Sequence, residues 1–128
     1  MQSRFLTLVL LFILAATVAF NGSAGAHAKL VRADPLPGSI VKVVPLLVRA
    51  WFNDELNSKS STIGVWDARG QRADDGRGGV DLNDMDRKSM QTRLKPLRPG
   101  KYTVKWKAVS AGDADVAQGT FQFTVVPR

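Results

Sequence analysis

The sequence predicts an all-β protein: a Greek-key β-sandwich of about seven strands, preceded by a short leader. Three observations carry that prediction. Prolines and glycines recur at short intervals from Pro35 to Gly119, and between them lie short runs rich in β-branched and aromatic residues. In two of those runs apolar and polar residues alternate strictly, so that each strand has one buried and one wet face. Beyond residue 26, no long stretch shows the period of an amphipathic helix.

The leader comes first. Met1–Arg4 carries one positive charge, Phe5–Phe20 is an uncharged apolar run, and Asn21–Ala26 is small and polar. That order is the pattern of a secretory signal peptide over residues 1–26. The apolar run of 16 residues is short for a membrane-spanning helix, which needs about 20. Cleavage after Ala24-Gly25-Ala26 has small residues at both recognition positions and makes His27 the first mature residue. Gly22-Ser23-Ala24 and Ala26-His27-Ala28 also fit the small-x-small rule. The former leaves a two-residue stub and the latter discards the histidine.

Residues 27–128 then form the single predicted domain, and its strands follow in order. His27–Pro35 is strand-like. Leu46–Asn53 places Val48, Ala50 and Phe52 on one side. Ser61–Ala68 places Ile63, Val65 and Asp67 opposite Thr62, Gly64 and Trp66, and the following Ala68–Gln71 reads as a tight turn. Arg72–Ser89 is polar and rich in Gly and Asp, an irregular connection with a short strand near Val80. Lys101–Ser110 is the cleanest strand, with Tyr102, Val104, Trp106 and Ala108 facing one way and Lys101, Thr103, Lys105 and Lys107 the other. Gly119–Val126 points Phe121, Phe123 and Val125 inward. Two half-wet sheets packed face to face bury these apolar sets, giving an Ig-like/cupredoxin-like sandwich. Trp51 and Trp66 are expected to pack in its core.

Charge and cysteine content narrow the function. The chain has 18 basic and 11 acidic residues, a net charge of +7, and residues 27–128 keep all but one of the basic residues. A basic exported protein is attracted to anionic surfaces, although scattered charge serves solubility equally well. With no run of five or six like charges, the sequence offers no nucleic-acid footprint. The absence of cysteine excludes disulfides, thiolate nucleophiles, iron–sulfur clusters and blue-copper centres.

The one histidine, His27, carries the most chemistry. As a free N-terminal residue it offers two nitrogens, the α-amine and the imidazole Nδ1, which close a six-membered chelate on one ion. Both kinds of group ordinarily lose their protons near neutral pH, and such nitrogen donors favour Cu(II) over Zn(II) and Ni(II). Further ligands must come from carboxylates. Asp113 and Asp115 lie two apart between the two best strands, and in an extended loop they would share one side. Asp54, with Glu55 beside it, follows another strand. Each of these acids is equally at home as a solvated loop carboxylate.

These residues resemble a family. "HAKLVRADPLPGS" resembles the mature start H-x-x-L-x-x-x-x-P-x-x-G-S of CopC-like copper-resistance proteins. "VRAWFNDEL" resembles their L-x-F-S-E-x-L strand end. "LRPGKYTVKWKAVSAGDADVAQGTFQFTV" resembles L-x-P-G-x-Y-x-V-x-W-x-x-V-S-x-D-x-H-P-x-x-G-x-F-x-F-x-V. The resemblance covers nearly all of residues 27–128. It implies a periplasmic Cu(II) carrier or buffer, often working beside a membrane copper transporter, that binds metal through an N-terminal histidine and an Asp-x-His loop. His27 matches the N-terminal ligand, Asp54 the nearby acid, and Asp113 the loop aspartate if one residue is inserted before it.

The departures are as informative as the matches. Asp115 stands where the family's loop histidine stands, and Val116 replaces the proline. Met85 and Met90 stand alone in the polar connection, so a methionine cluster for Cu(I) is missing. What remains is an altered, harder site: two nitrogens from His27 with carboxylates from Asp113 and Asp115. It should hold Cu(II) less tightly and discriminate less against Zn(II). The alternative is a metal-free Ig-like interaction module that kept the fold and partners a membrane copper transporter. An enzyme is not expected: a copper oxidative centre needs a second histidine, and no hydrolytic set is visible.

Overall fold

The computed structural model describes residues 27–127; the expected signal peptide, residues 1–26, lies outside them. The chain folds into eight strands: β1 (Leu30–Asp34), β2 (Ile40–Val41), β3 (Leu47–Phe52), β4 (Thr62–Trp66), β5 (Gly79–Val80), β6 (Ser89–Arg93), β7 (Gly100–Val109) and β8 (Val116–Val125). They make two four-stranded sheets, ordered β1-β3-β6-β5 and β2-β8-β7-β4. Only β5–β6 and β7–β8 are sequential neighbours within a sheet, so the chain crosses repeatedly between the layers, as a Greek key does. No helix among the described residues is long and apolar enough to cross a membrane.

The alternating runs become the inner faces. Val48, Ala50 and Phe52 of β3 face Tyr102, Val104 and Ala108 of β7 and Phe121, Phe123 and Val125 of β8, all within one buried core. Tyr102 stacks on Phe123 with ring centroids 5.5 Å apart, and its hydroxyl donates to the Arg98 carbonyl at 2.6 Å. Phe52 meets Trp106 edge-on at 5.0 Å, which joins the two sheets near one end.

Four details differ from the sequence expectation. Strand β6 lies in a stretch too mixed in composition to read as a strand: Ser89, Met90 and Thr92 are all buried. Met90 is therefore a core residue of a central strand, fully buried, while Met85 is almost fully exposed in the loop before it. Strand β8 begins at Val116, three residues earlier than expected, because the β7–β8 ladder continues to Val109↔Val116. Finally, Trp51 and Trp66 are half-buried on the outer faces rather than in the core. Each is covered by cations: Arg32 and Arg49 lie 3.9 and 4.9 Å from the Trp51 ring, and Arg72 and Lys105 each 4.9 Å from the Trp66 ring. Indoles with guanidinium or ammonium lids sit well on a wet face.

One buried carboxylate ties the layers together. Asp74 follows β4 and is fully buried. It accepts from the Val65 amide of edge strand β4 at 3.3 Å, from Thr92 Oγ1 of the opposite sheet at 2.7 Å, and from Arg72 Nε at 2.8 Å. Burial alone would raise its pKa. The Arg72 and Thr92 hydrogen bonds, the Val65 amide and the Arg72 charge outweigh burial and hold it below the ordinary value.

Candidate metal centre

Three chain segments meet at one end of the sandwich. The N-terminal segment is pinned to the end of β3: the Lys29 amide donates to Asn53 Oδ1 at 2.8 Å, and the Asn53 amide donates to the Lys29 carbonyl at 3.1 Å. The segment after β3 is pinned in turn to the end of β7. Asn57 donates to the Val109 carbonyl at 2.7 Å, Ala111 donates to the Glu55 carbonyl at 2.9 Å, and Leu56 bridges Ser110. Ala28, between His27 and these Lys29 contacts, is buried and fixes the depth of the N-terminal segment. The sequence thus brings His27, Asp54 and the β7–β8 turn to one end, though they are far apart along the chain.

The β7–β8 turn is tight rather than extended. Ser110 donates its amide to the Asp115 carbonyl at 2.9 Å, and Ala114 donates to the Ser110 carbonyl at 3.0 Å. Ala114 adopts φ +59°, a left-handed conformation uncommon for a non-glycine residue. Asp113 is exposed, and its Oδ1 accepts from the Asp115 amide at 3.2 Å. The side-by-side placement expected of an extended Asp-x-Asp is therefore replaced by an Asx-type turn, in which Asp113 holds the backbone of Asp115.

Of the four residues picked from the sequence, the fold brings two together. His27 Nδ1 lies 3.9 Å from Asp115 Oδ2, with side chains 56% and 41% exposed. The pair is open to solvent, so an ion could enter with little rearrangement. Neither Asp113 nor Asp54 comes within ion-pair distance of the imidazole. Asp54 caps its own turn, its Oδ1 accepting from the Glu55 amide at 2.8 Å. No group of three or more His, Cys, Asp or Glu side chains among the described residues is arranged to hold a metal ion.

Sequence reasoning missed two residues that shape this end. Asn53 locks the N-terminal segment through both its side chain and its amide. Its signal was visible: an Asn closing a strand that runs into "NDEL". Ser110 is fully buried, and its Oγ has no hydrogen-bond partner among the described residues. Nothing in its sequence neighbourhood announces that.

The donor chemistry suits a divalent ion of intermediate softness: one imidazole and one carboxylate in contact range, with a second carboxylate one turn away. Of the two methionines among the described residues, Met85 is exposed in the loop before β6 and Met90 is buried in the core.

Known proteins share this fold. The CopC domain family model matches residues 30–126. Among solved structures, the chain is similar to CopC from Methylosinus trichosporium OB3b, with 26% identity and a TM-score of 0.70 over 80% of this chain and 96% of that one. It is also similar to PcoC, a methionine-rich copper resistance protein from Escherichia coli, with 28% identity and a TM-score of 0.60 over 78% of this chain and 99% of that one. No curated protein sequence matches.

Proposed function

The chain belongs to the CopC domain family, and on that premise we propose that it is an exported, periplasmic Cu(II) carrier or buffer with an altered metal site. In this proposal, removal of residues 1–26 frees His27, whose α-amine and imidazole hold the ion. Asp115 supplies a carboxylate from the position that a histidine occupies in the family pattern. Asp113 orders the turn or adds a second oxygen, and Asp54 contributes negative charge nearby. The observation that carries this is the 3.9 Å approach of His27 Nδ1 to Asp115 Oδ2, made by two residues 88 positions apart through independent backbone anchors.

Copper here is cargo. A site that stays half exposed and lacks a second imidazole binds and releases by exchange with solvent, which suits a buffer or a donor to a membrane copper transporter. Two carboxylates neutralise a divalent charge but are harder donors than imidazole, so selectivity for Cu(II) over Zn(II) is expected to be smaller than in a two-histidine site.

A second reading is favoured by one observation: among the described residues no three-ligand cluster exists. In that reading the domain is a metal-free Ig-like interaction module that partners a membrane copper transporter. The two separate on one experiment, intact-mass analysis of the exported protein followed by Cu(II) titration. A chain that begins at His27 and takes up one Cu(II) supports the carrier. A chain that begins at Lys29, or that begins at His27 and takes up none, overturns it in favour of the module.

A further inference from the structure

The end of the sandwich opposite His27 has a different composition. The connection from β1 to β3, "PLPGSIVKVVPL" (Pro35 to Leu46), has Lys42 as its one charged residue. Leu36, Ile40, Val43 and Leu46 all project into solvent there, each between 66% and 77% exposed. Scattered exposed apolar side chains are ordinary, but four on one short connection are not. Beside it runs "RLKPLRPGK" (Arg93 to Lys101), which carries Arg93, Lys95, Arg98 and Lys101 and no acid. All four of these cations are exposed, as is Lys42.

Backbone contacts place the two segments at the same end. Leu94 donates to the Leu46 carbonyl at 2.9 Å, and Leu47 pairs with Arg93. Ile40 pairs with Thr124, which on its other side pairs with Lys101. The carboxylates that the fold sets beside these segments are Asp34, before Pro35, Asp74, which bridges Leu94, Asp75, whose amide donates to the Arg93 carbonyl, and Asp67, which shares a cleft with Arg98 and Lys101 and accepts from the Arg69 and Gln71 amides. Asp34 and Asp75 are exposed, and Asp74 is already committed to Arg72. Strand β7 runs the length of the sandwich from this end to the other. Its 10 residues separate the basic apolar end from His27 by about 33 Å at the usual rise.

We propose that this end is a docking surface for an anionic lipid membrane. Leu36, Ile40, Val43 and Leu46 enter the headgroup region, and Lys42, Arg93, Lys95, Arg98 and Lys101 meet the lipid phosphates. The occupant follows from charge complementarity together with the apolar tips. An acidic soluble polymer would use the cations but leave the four apolar side chains in water, whereas a lipid surface takes both. The contact is peripheral and leaves the His27 end facing away from the bilayer. It is independent of whether the protein carries copper.

The test uses the processed protein, which keeps every core residue among those described, Ala28 to Val125, with a chelator present. Flotation is compared on vesicles of phosphatidylcholine alone and of phosphatidylcholine mixed equally with phosphatidylglycerol. The expected result is binding at least about tenfold stronger to the anionic vesicles. The triple variant Ile40→Ser/Val43→Ser/Leu46→Ser and the double variant Arg98→Gln/Lys101→Gln should each lose most of that binding with an unchanged circular dichroism spectrum. Lys59→Gln/Lys88→Gln removes the same charge near the other end and should retain it. Equal binding to both vesicle types overturns the proposal. So does a triple serine variant that floats like the parent, or a loss in Lys59→Gln/Lys88→Gln that matches the loss in Arg98→Gln/Lys101→Gln.

Discussion

His27 Nδ1 stands 3.9 Å from Asp115 Oδ2, whereas Asp113, two residues earlier, turns its carboxylate back onto the Asp115 amide. The two aspartates of one loop therefore have different tasks, and substitution should separate them. His27→Ala is expected to abolish stoichiometric Cu(II) binding. Asp115→Ala should weaken it by about 10–100-fold, and Asp113→Ala by less, because loss of the turn bond loosens the ligand without removing it. Isothermal titration of the three processed variants checks the order. Asp113→Ala weaker than Asp115→Ala would assign the direct contact to Asp113.

A chelate through the α-amine requires that nothing precede His27. Acetylation of the His27 amine turns it into an amide and brings no new amine, leaving imidazole and carboxylate only. Cu(II) affinity should fall by at least about tenfold, a change of about 1.4 kcal/mol. The electron paramagnetic resonance spectrum should lose one nitrogen coupling. Equal affinity with and without the acetyl group would remove the amine from the ligand set.

Much of the fold was legible because it rests on period. Strands β3, β7 and β8 bury the residues that their alternation marks, and β5 lies at Val80 as expected. Strand β6 was not legible, since Ser89 and Thr92 are buried by hydrogen bonds to Asp84 and Asp74 that no local pattern reveals. Trp51 and Trp66 were misplaced for a related reason. Alternation already put them opposite the core residues, and only the stacked Arg and Lys side chains explain how large rings rest on a wet face. At the site, the sequence could name His27 and Asp115. It could not show that the turn would coil at Ala114 and withdraw Asp113 from the imidazole.

Trp106 sets a steric limit on β8. It pairs with Gly119, and its indole lies over that glycine so closely that a Cβ there would collide with the ring. Gly119→Ala must displace Trp106 and disturb its edge contact with Phe52. The expected cost is about 1–3 kcal/mol, read from urea unfolding. A shift in tryptophan emission of the folded state should accompany it. Unchanged stability would mean that the indole has another resting place.

Asp74 makes the sharpest stability prediction. Its carboxylate is the shared acceptor for edge strand β4, for Thr92 of the other sheet and for Arg72. Asp74→Ala leaves a buried hydroxyl and a buried amide without partners, and should cost about 3 kcal/mol, the lower end for a broken buried pair because Arg72 is partly exposed. The same carboxylate sets an acid dependence. Its pKa is lowered in the folded state, so the folded state binds its proton less readily than the unfolded chain does. The stabilisation is therefore complete above the ordinary value of 3.8 and is lost as pH falls from there through the folded-state pKa. Asp84, also lowered, by the Ser89 hydroxyl against a small burial penalty and by loop amides, adds to the same window. Asp74→Asn keeps the shape but removes the charge. Its unfolding free energy should be lower than the parent's at pH 6 and should fall less steeply on acidification below pH 4. Parallel curves for parent and Asp74→Asn across that range would show that Asp74 titrates alike in both states, and would leave the acid dependence to other carboxylates.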